Sequence, residues 1–340
     1  MLASPLLTRL YTPEEFGVLA VFASMVAILG VVASLRYQLA IPLPESDEEA
    51  ASIAGLSILV VFAMSVLSAL LVLFFRHEIA GLLNAPEISD YLWLFPLGLF
   101  LTGSYQVLNF WAIRVKAFTA IARTKLTEST GMTIFQLGGF ALGPLGLLTG
   151  RIVGQAAANI SLWKFALPKG TLSARALNWK RLTHAARRYK HFPVYSSGAG
   201  LFNTGGAQMP PLFFAALFGP AAAGAYMLAD RVINIPITVV GAAVADAFLP
   251  KSVEARREGR LGLEVERLFQ GLAKFTLPPL GLLFVLAPDL FMMAFGPSWQ
   301  QAGEMVRWLT PMLAFRFFAN PLGRVFVTLE RQGLVLVTQA

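Results

Sequence analysis

The sequence predicts an all-α, polytopic membrane protein, and three observations carry that prediction. Of its 340 residues, 56% are hydrophobic and only 14% are charged, whereas a soluble domain of this length needs more charge to cover its surface. Mostly apolar stretches of about 20 residues, enough to cross a hydrocarbon core about 30 Å thick, recur along the chain. Basic residues collect in every second loop between these stretches.

We predict nine complete membrane spans and the start of a tenth near Leu334. The first span carries no charge, and the others carry few. The predicted spans are 16–35, 51–75, 91–113, 126–143, 145–165, 193–217, 222–248, 268–287 and 303–327. Cysteine is absent, and the three histidines, His77, His184 and His191, lie in or beside loops, so neither a metal nor any other cofactor is predicted.

The loops between the spans fall into two alternating sets with very different charge. One set holds eighteen Lys and Arg residues and the other holds only Arg9 and Arg76. Because basic loops stay in the cytoplasm, the first set is predicted to be cytoplasmic, and the net charge of +8 does not indicate nucleic-acid binding. The basic loops are 36–50, 114–125, 166–192, 249–267 and 328–333. Arg114, at the inner end of its span, is expected to anchor lipid headgroups.

The longest basic loop, 166–192, divides the chain. Trp179, Leu182, Ala186 and Tyr189 fall near one helical face with basic residues around them, which fits either an interfacial helix on anionic headgroups or a solvated basic linker. We expect a first lobe at 1–165, this linker, and a second lobe at 193–340. The expectation is also that at least one helix precedes Met1 and that more follow Ala340.

The two lobes show an internal repeat. Residues 11–17 (YTPEEFG) and 218–224 (FGPAAAG) share the pattern aromatic-x-Pro-x-x-x-Gly, and 93–96 (WLFP) matches 308–311 (WLTP). Both pairs enter their spans from the same side, so the repeat is parallel. Two parallel six-helix lobes form a transporter plan, with the substrate between the lobes and alternating access to it. Pro210 and Pro211 are predicted to bend the span 193–217.

Charged and amide side chains inside the spans are the candidate substrate-binding residues, because burying them in a bilayer is costly unless they face a cavity or a partner. Arg316, about halfway along its span, is the leading candidate. A cationic cavity predicts an anionic, phosphate-bearing substrate, since arginine binds phosphate bidentately. Gly146, Gly150, Gly154 and Ala158 form a stripe of small residues that is expected to serve helix packing. The candidate residues are Arg316, Arg231, Arg307, Arg151, Lys274, Asn109 and Gln208.

Several segments resemble bacterial oligosaccharide flippases of the Wzx type. These segments are 7–17 (LTRLYTPEEFG), 36–44 (RYQLAIPLP), 195–197 (YSS), 216–220 (ALFGP) and 329–332 (LERQ). That family belongs to the multidrug/oligosaccharidyl-lipid/polysaccharide (MOP) exporter superfamily, so the resemblance implies a MATE-like fold in the inner membrane. It also implies an undecaprenyl-diphosphate-linked oligosaccharide as substrate, for O-antigen, capsule or exopolysaccharide assembly, and other polysaccharide assembly proteins as possible partners.

Two other functions compete with that of a flippase. A drug or organic-cation antiporter on the same scaffold predicts buried acids in the first lobe, where we expect none. A membrane enzyme of the same pathway, such as a glycan polymerase, needs a large outer loop with catalytic residues, and the predicted outer loops are short. We therefore expect a transporter and not an enzyme.

Overall fold

The computed structural model describes residues 3–166 and 178–328, and every regular element within these ranges is helical. The chain divides into two compact units, Met1–Gly224 (unit 1) and Ala225–Ala340 (unit 2). The predicted lobe boundary at 166–192 stays a prediction, and the predicted tenth span lies outside the described residues. The α-helices are α1 (Ser4–Leu10), α2 (Pro13–Gly30), α3 (Asp47–Leu82), α4 (Phe95–Arg114), α5 (Phe118–Gly138), α6 (Pro144–Ala166), α7 (Trp179–Arg188), α8 (Ser197–Phe218), α9 (Pro220–Arg257), α10 (Leu261–Phe295) and α11 (Gln300–Thr328).

Each of the nine complete predicted spans coincides with a long helix, but several boundaries differ. Helix α2 begins at a capping box, in which the Thr12 hydroxyl accepts from the Glu15 amide and the Glu15 carboxylate accepts from the Thr12 amide. It ends at Gly30, five residues before the predicted boundary, and the chain then turns through Arg36 at φ +63°. Three helices, α2, α3 and α10, are long and apolar enough by themselves to be identified as membrane spans in the described part of the chain.

The stripe of small residues on α6 packs against α5, as predicted. A Cβ atom at Gly154 would lie 2.7 Å from the carbonyl oxygen of Glu128, and one at Gly150 would lie 2.5 Å from Cγ of Gln136. Ala158 continues the stripe and is fully buried. Any larger side chain at the two glycines would push the helices apart, so the stripe sets how closely α5 and α6 approach.

The two segments of the predicted repeat contact each other reciprocally within unit 1. A Cβ atom at Gly17 would overlap the carbonyl oxygen of Pro220, and one at Gly224 would overlap the carbonyl oxygen of Pro13. Equivalent residues of the two motifs therefore occupy equivalent places in one helix crossing, as a local two-fold axis requires. The six-helix repeat as a whole stays a prediction.

The basic linker contains α7, which packs on α3. Leu182 and Ala185 are its buried positions, while Trp179 is 70% exposed. Leu182 therefore packs on protein, while Trp179, three residues before it, lies on the surface. Whether α7 lies on lipid headgroups or belongs to a solvated basic linker stays a prediction.

Unit 2 contains the pair α10 and α11, which approach closely at one glycine. A Cβ atom at Gly303 would lie 2.5 Å from Cα of Pro288 in α10. In unit 1, α8 continues through Pro210 and Pro211 as a single helix after a π-helical turn at Phe192–Ser196. The bend predicted at these two prolines stays a prediction.

Candidate functional site

Unit 2 holds a chain of polar side chains that ends at Arg316. The Nη1 group of Arg316 on α11 donates to the side-chain oxygen of Asn234 on α9 at 3.2 Å. The Asn234 amide nitrogen in turn donates to the Asp230 carboxylate at 2.6 Å and to the Asp230 carbonyl oxygen at 2.9 Å. Asp230 and Asn234 meet because they lie four residues apart, one helical turn. The Arg316 side chain itself stays exposed.

None of these bonds pairs Arg316 directly with a carboxylate. The hydrogen bond to Asn234 therefore holds the guanidinium in place without neutralising its charge. Its direct acceptor is a neutral amide, and the carboxylate of Asp230 lies one step further along the chain. A guanidinium that is oriented by an amide keeps its charge and its remaining donors for an anion. Binding of an anionic substrate by Arg316 stays a prediction.

Arg307 has a structural role that the sequence analysis did not anticipate. Its Nε and Nη2 groups donate to the carbonyl oxygens of Phe284 at 2.9 Å and Val285 at 3.0 Å. Phe284 lies four residues before Pro288, and a proline has no N–H to donate to that carbonyl. Arg307 therefore satisfies a backbone group that Pro288 leaves without its helical partner.

The structure shows where the other three predicted cations lie, but it does not group them into one site. Arg231 follows Asp230 on α9 and is half-buried, while Lys274 on α10 is exposed. Arg151 on α6 is half-buried and interacts with neighbouring groups. Their role as substrate-binding residues stays a prediction.

The two predicted amide residues lie in unit 1. Gln208 on α8 accepts a hydrogen bond from the Ser24 hydroxyl on α2 at 3.2 Å, so it joins these two helices. Asn109 is half-buried in α4. Neither residue is shown to contact a ligand-binding group, and both stay predictions.

A network of amide side chains in unit 1 was not among the predicted site residues. Gln106 on α4 donates to the Gly30 carbonyl oxygen at 3.2 Å and accepts from the Gln38 amide at 3.0 Å, and Gln38 also accepts from Ser34. The structure shows that the Gln38 side chain is fully buried, whereas its position in the sequence predicts an ordinary loop residue. The network holds the turn after α2 against α4.

Arg36 lies in the same turn, and the sequence predicts for it only a place in the basic loop 36–50. Its guanidinium lies against Gly200 on α8, where a Cβ atom would be 2.7 Å from Cζ of Arg36. The Nε group is buried and has no hydrogen-bond partner among the described residues. A buried donor without an acceptor is costly, so this group is a candidate for binding an anion.

Arg114 does not anchor headgroups as predicted, because its donors are used inside the protein. Its guanidinium donates to the carbonyl oxygens of Ile41, Pro44 and Glu45 and to the Asp47 carboxylate, the last at 2.9 Å. Only 11% of its side chain is exposed. Arg114 thus fixes the loop that leads into α3.

The same end of α3 also holds α7. The Glu48 and Glu49 carboxylates accept from Arg181 and Arg188, each at 2.8 Å, and Glu49 also accepts from the Tyr189 hydroxyl at 3.2 Å. Burial, and next the Glu49 carboxylate, raises the pKa of Tyr189, so the phenol remains a donor at neutral pH. The linker helix is therefore attached by charge pairs to the start of α3.

The expectation that the spans of the first lobe contain no acidic residue is wrong. Glu128 lies inside the predicted span 126–143, on α5, and pairs with Lys125 at 3.3 Å. It is the third residue of that predicted span, close after the basic loop 114–125, although α5 itself begins ten residues earlier at Phe118. Among the described residues, no group of three or more His, Asp or Glu side chains could hold a metal ion.

Comparisons with known proteins agree with this architecture. A family model described as "Polysaccharide biosynthesis protein" matches residues 6–304. The succinoglycan biosynthesis transport protein ExoT of Rhizobium meliloti (strain 1021) is 26% identical over 308 residues, which cover 88% of this chain. The chain spans 59% of the length of that relative.

A solved structure has the same fold. It is titled the inward-facing conformation of a multidrug resistance MATE family transporter of the MOP superfamily. The TM-score is 0.68 at 14% sequence identity, and the match covers 99% of this chain and 83% of that chain. At this level of identity the likeness concerns the fold alone, and it confirms the predicted all-α, MATE-like membrane architecture.

Proposed function

The chain belongs to the polysaccharide biosynthesis protein family and has the fold of a MOP-superfamily membrane transporter, and from this premise we propose that it is a lipid-linked oligosaccharide flippase. Its substrate is an undecaprenyl-diphosphate-linked oligosaccharide, which it moves from the cytoplasmic to the periplasmic leaflet of the bacterial inner membrane. Transport proceeds by alternating access. The printed name of the relative, a transport protein of succinoglycan biosynthesis, supports a polysaccharide precursor as the cargo.

The observation that carries the proposal is the anchored, exposed guanidinium of Arg316 at the middle of a predicted span. A charge at that depth costs about 2.5–3.5 kcal/mol on insertion scales, so its retention needs a compensating role. The hydrogen bond to Asn234 orients the side chain without cancelling its charge. A diphosphate offers several acceptor oxygens, and a planar guanidinium can bind two of them together.

Arg36 supplies a second basic contact on the side of the basic loops. Its Nε donor is buried against α8 and lacks an acceptor in the described part of the chain, so a phosphate oxygen reaches it only when this turn moves away from α8. We propose that it receives the diphosphate at the start of transport. Other polysaccharide assembly proteins then act on the glycan after it has crossed the membrane.

A drug or organic-cation antiporter remains the second candidate, since Glu128 supplies an acid in the first lobe. The ion pair with Lys125 argues against it, because a cation-binding carboxylate must be available to the cargo. The two functions differ in what they require of Arg316. Removing a positive charge weakens the binding of an anionic cargo but favours that of a cationic one.

The test uses the full-length protein reconstituted in vesicles with a labelled undecaprenyl-diphosphate sugar. We expect Arg316→Gln to slow the change of leaflet by at least tenfold and Arg316→Lys to restore part of it, since lysine keeps the charge but not the planar fork. Arg257→Gln, at the exposed end of α9, is the matched control. Unchanged transport by Arg316→Gln removes this residue from the mechanism, and export of organic cations without lipid movement selects the antiporter.

A further inference from the structure

A groove of about 320 Å³ runs along the surface of unit 1 between α3, α4 and α6. Its walls are almost entirely apolar, with Phe100 and Leu108 on α4 and Trp163 on α6. Lys164 is the one charged residue among the nine that line it. The groove is therefore apolar along most of its walls and carries one cationic side chain, Lys164.

The groove has the length and the position of one membrane leaflet. Phe100 and Leu108 are eight residues apart on α4, which corresponds to about 12 Å, and half of a typical hydrocarbon core is about 15 Å. Lys164 lies two residues before the end of α6, beside the basic linker. Since Lys164 is also next to the end of the predicted span 145–165, we infer that its ammonium group lies at headgroup level and that the apolar walls extend from there toward the middle of the bilayer.

The walls are held in place, and their rim is exposed on the surface of the described chain. The Asn159 amide on α6 donates to the carbonyl oxygen of Leu101 on α4 at 3.0 Å, which ties the two helices together. Along the rim, Ile160 is 57% exposed and Trp163 is 53% exposed. Tryptophan is typical of the membrane–water interface, which agrees with the level assigned to Lys164.

We propose that this groove binds one acyl chain of an anionic glycerophospholipid, with the phosphate against Lys164. The occupant is a phospholipid because the groove is exposed on the surface of a membrane protein and its length matches a chain that is confined to one leaflet. An undecaprenyl chain is too long to lie within it. The single cation, without an acid in the lining, selects an anionic headgroup. The site is independent of Arg316 and of the cargo.

Quenching of Trp163 by brominated lipids tests the site in the full chain. The protein is placed in phosphatidylcholine vesicles that contain either brominated phosphatidylglycerol or brominated phosphatidylcholine, with the bromine on the acyl chains. The fluorescence of Trp163 is obtained as the difference between the unmodified protein and Trp163→Phe. We expect stronger quenching by the anionic lipid. Lys164→Gln should lower that preference about fivefold, whereas Lys251→Gln, which removes a charge from another basic loop, should leave it unchanged.

Ile160→Phe provides a second variant, because it fills the groove from its exposed rim and should reduce quenching by both brominated lipids. Equal quenching by the two lipids in the unmodified protein would overturn the proposal, since Lys164 then selects no headgroup. Displacement of the brominated lipid by undecaprenyl phosphate at a lower mole fraction than by phosphatidylglycerol would also overturn it. In that case the groove binds the polyprenyl chain.

Discussion

Alanine substitution at Gly17 or Gly224 tests the reciprocal helix crossing in unit 1. The added Cβ atom would lie 2.8 Å from Cα of Pro220 in the first case and 2.8 Å from the Gly17 nitrogen in the second, with a carbonyl oxygen closer still. Ordinary van der Waals contact begins at 3.4 Å. Backbone atoms cannot rotate away as a flexible side chain can, so the two helices must separate.

The size of the effect follows from two opposing contributions. Overpacking of a rigid contact costs about 1–3 kcal/mol. Alanine also gains about 0.5–1 kcal/mol over glycine inside a helix. Gly205→Ala measures the second contribution alone, because Gly205 is also helical and a Cβ atom there meets nothing within 4 Å. We therefore expect Gly17→Ala and Gly224→Ala to be less stable than Gly205→Ala by about 1–3 kcal/mol.

Thermal unfolding of the detergent-purified proteins, followed by tryptophan fluorescence, measures this difference. The double variant should lose less stability than the sum of the single losses, because one separation of the helices relieves both contacts. If Gly17→Ala is as stable as Gly205→Ala, the two helices do not meet closely at Gly17. Strict additivity in the double variant would show that the two glycines do not belong to one crossing.

Two further predictions concern arginines that hold the backbone. Arg114→Gln should destabilise the protein by about 2–3 kcal/mol, since buried acceptors lose a charged donor, and Lys116→Gln should have little effect in the same unfolding assay. A small effect of Arg114→Gln would contradict the role assigned to its hydrogen bonds. Arg307→Met should cost about 2 kcal/mol in the unmodified chain but clearly less in a Pro288→Ala background, where the helix regains an N–H for the freed carbonyl. An equal cost in both backgrounds would show that Arg307 acts elsewhere.

Much of the architecture was readable from local sequence. Apolar stretches of bilayer length fixed the positions of the long helices, because no other backbone conformation satisfies its hydrogen bonds in lipid. The pattern Pro-x-x-x-Gly marked both helix starts, at Pro13 and Pro220, and the small residues of α6 marked a close helix contact. These features depend on residues near one another in the chain, so a pattern can show them.

Side-chain partners across the fold were not readable in the same way. Arg307 and Arg316 look alike in sequence, nine residues apart on one helix, yet one donates to carbonyl groups of α10 and the other to Asn234 on α9. Arg114 likewise carries a charge at a span end, where headgroups are the usual partners, but a loop folds over it.

The sequence by itself therefore determined that this protein is a helical membrane protein, with basic residues in alternate loops and a stripe of small residues on α6. Only the tertiary structure decided which cations hold the backbone and which remain exposed for a ligand. The physical reason is that hydropathy and helix periodicity act over one or two turns, whereas a hydrogen bond is decided by whichever acceptor another helix brings within about 3 Å.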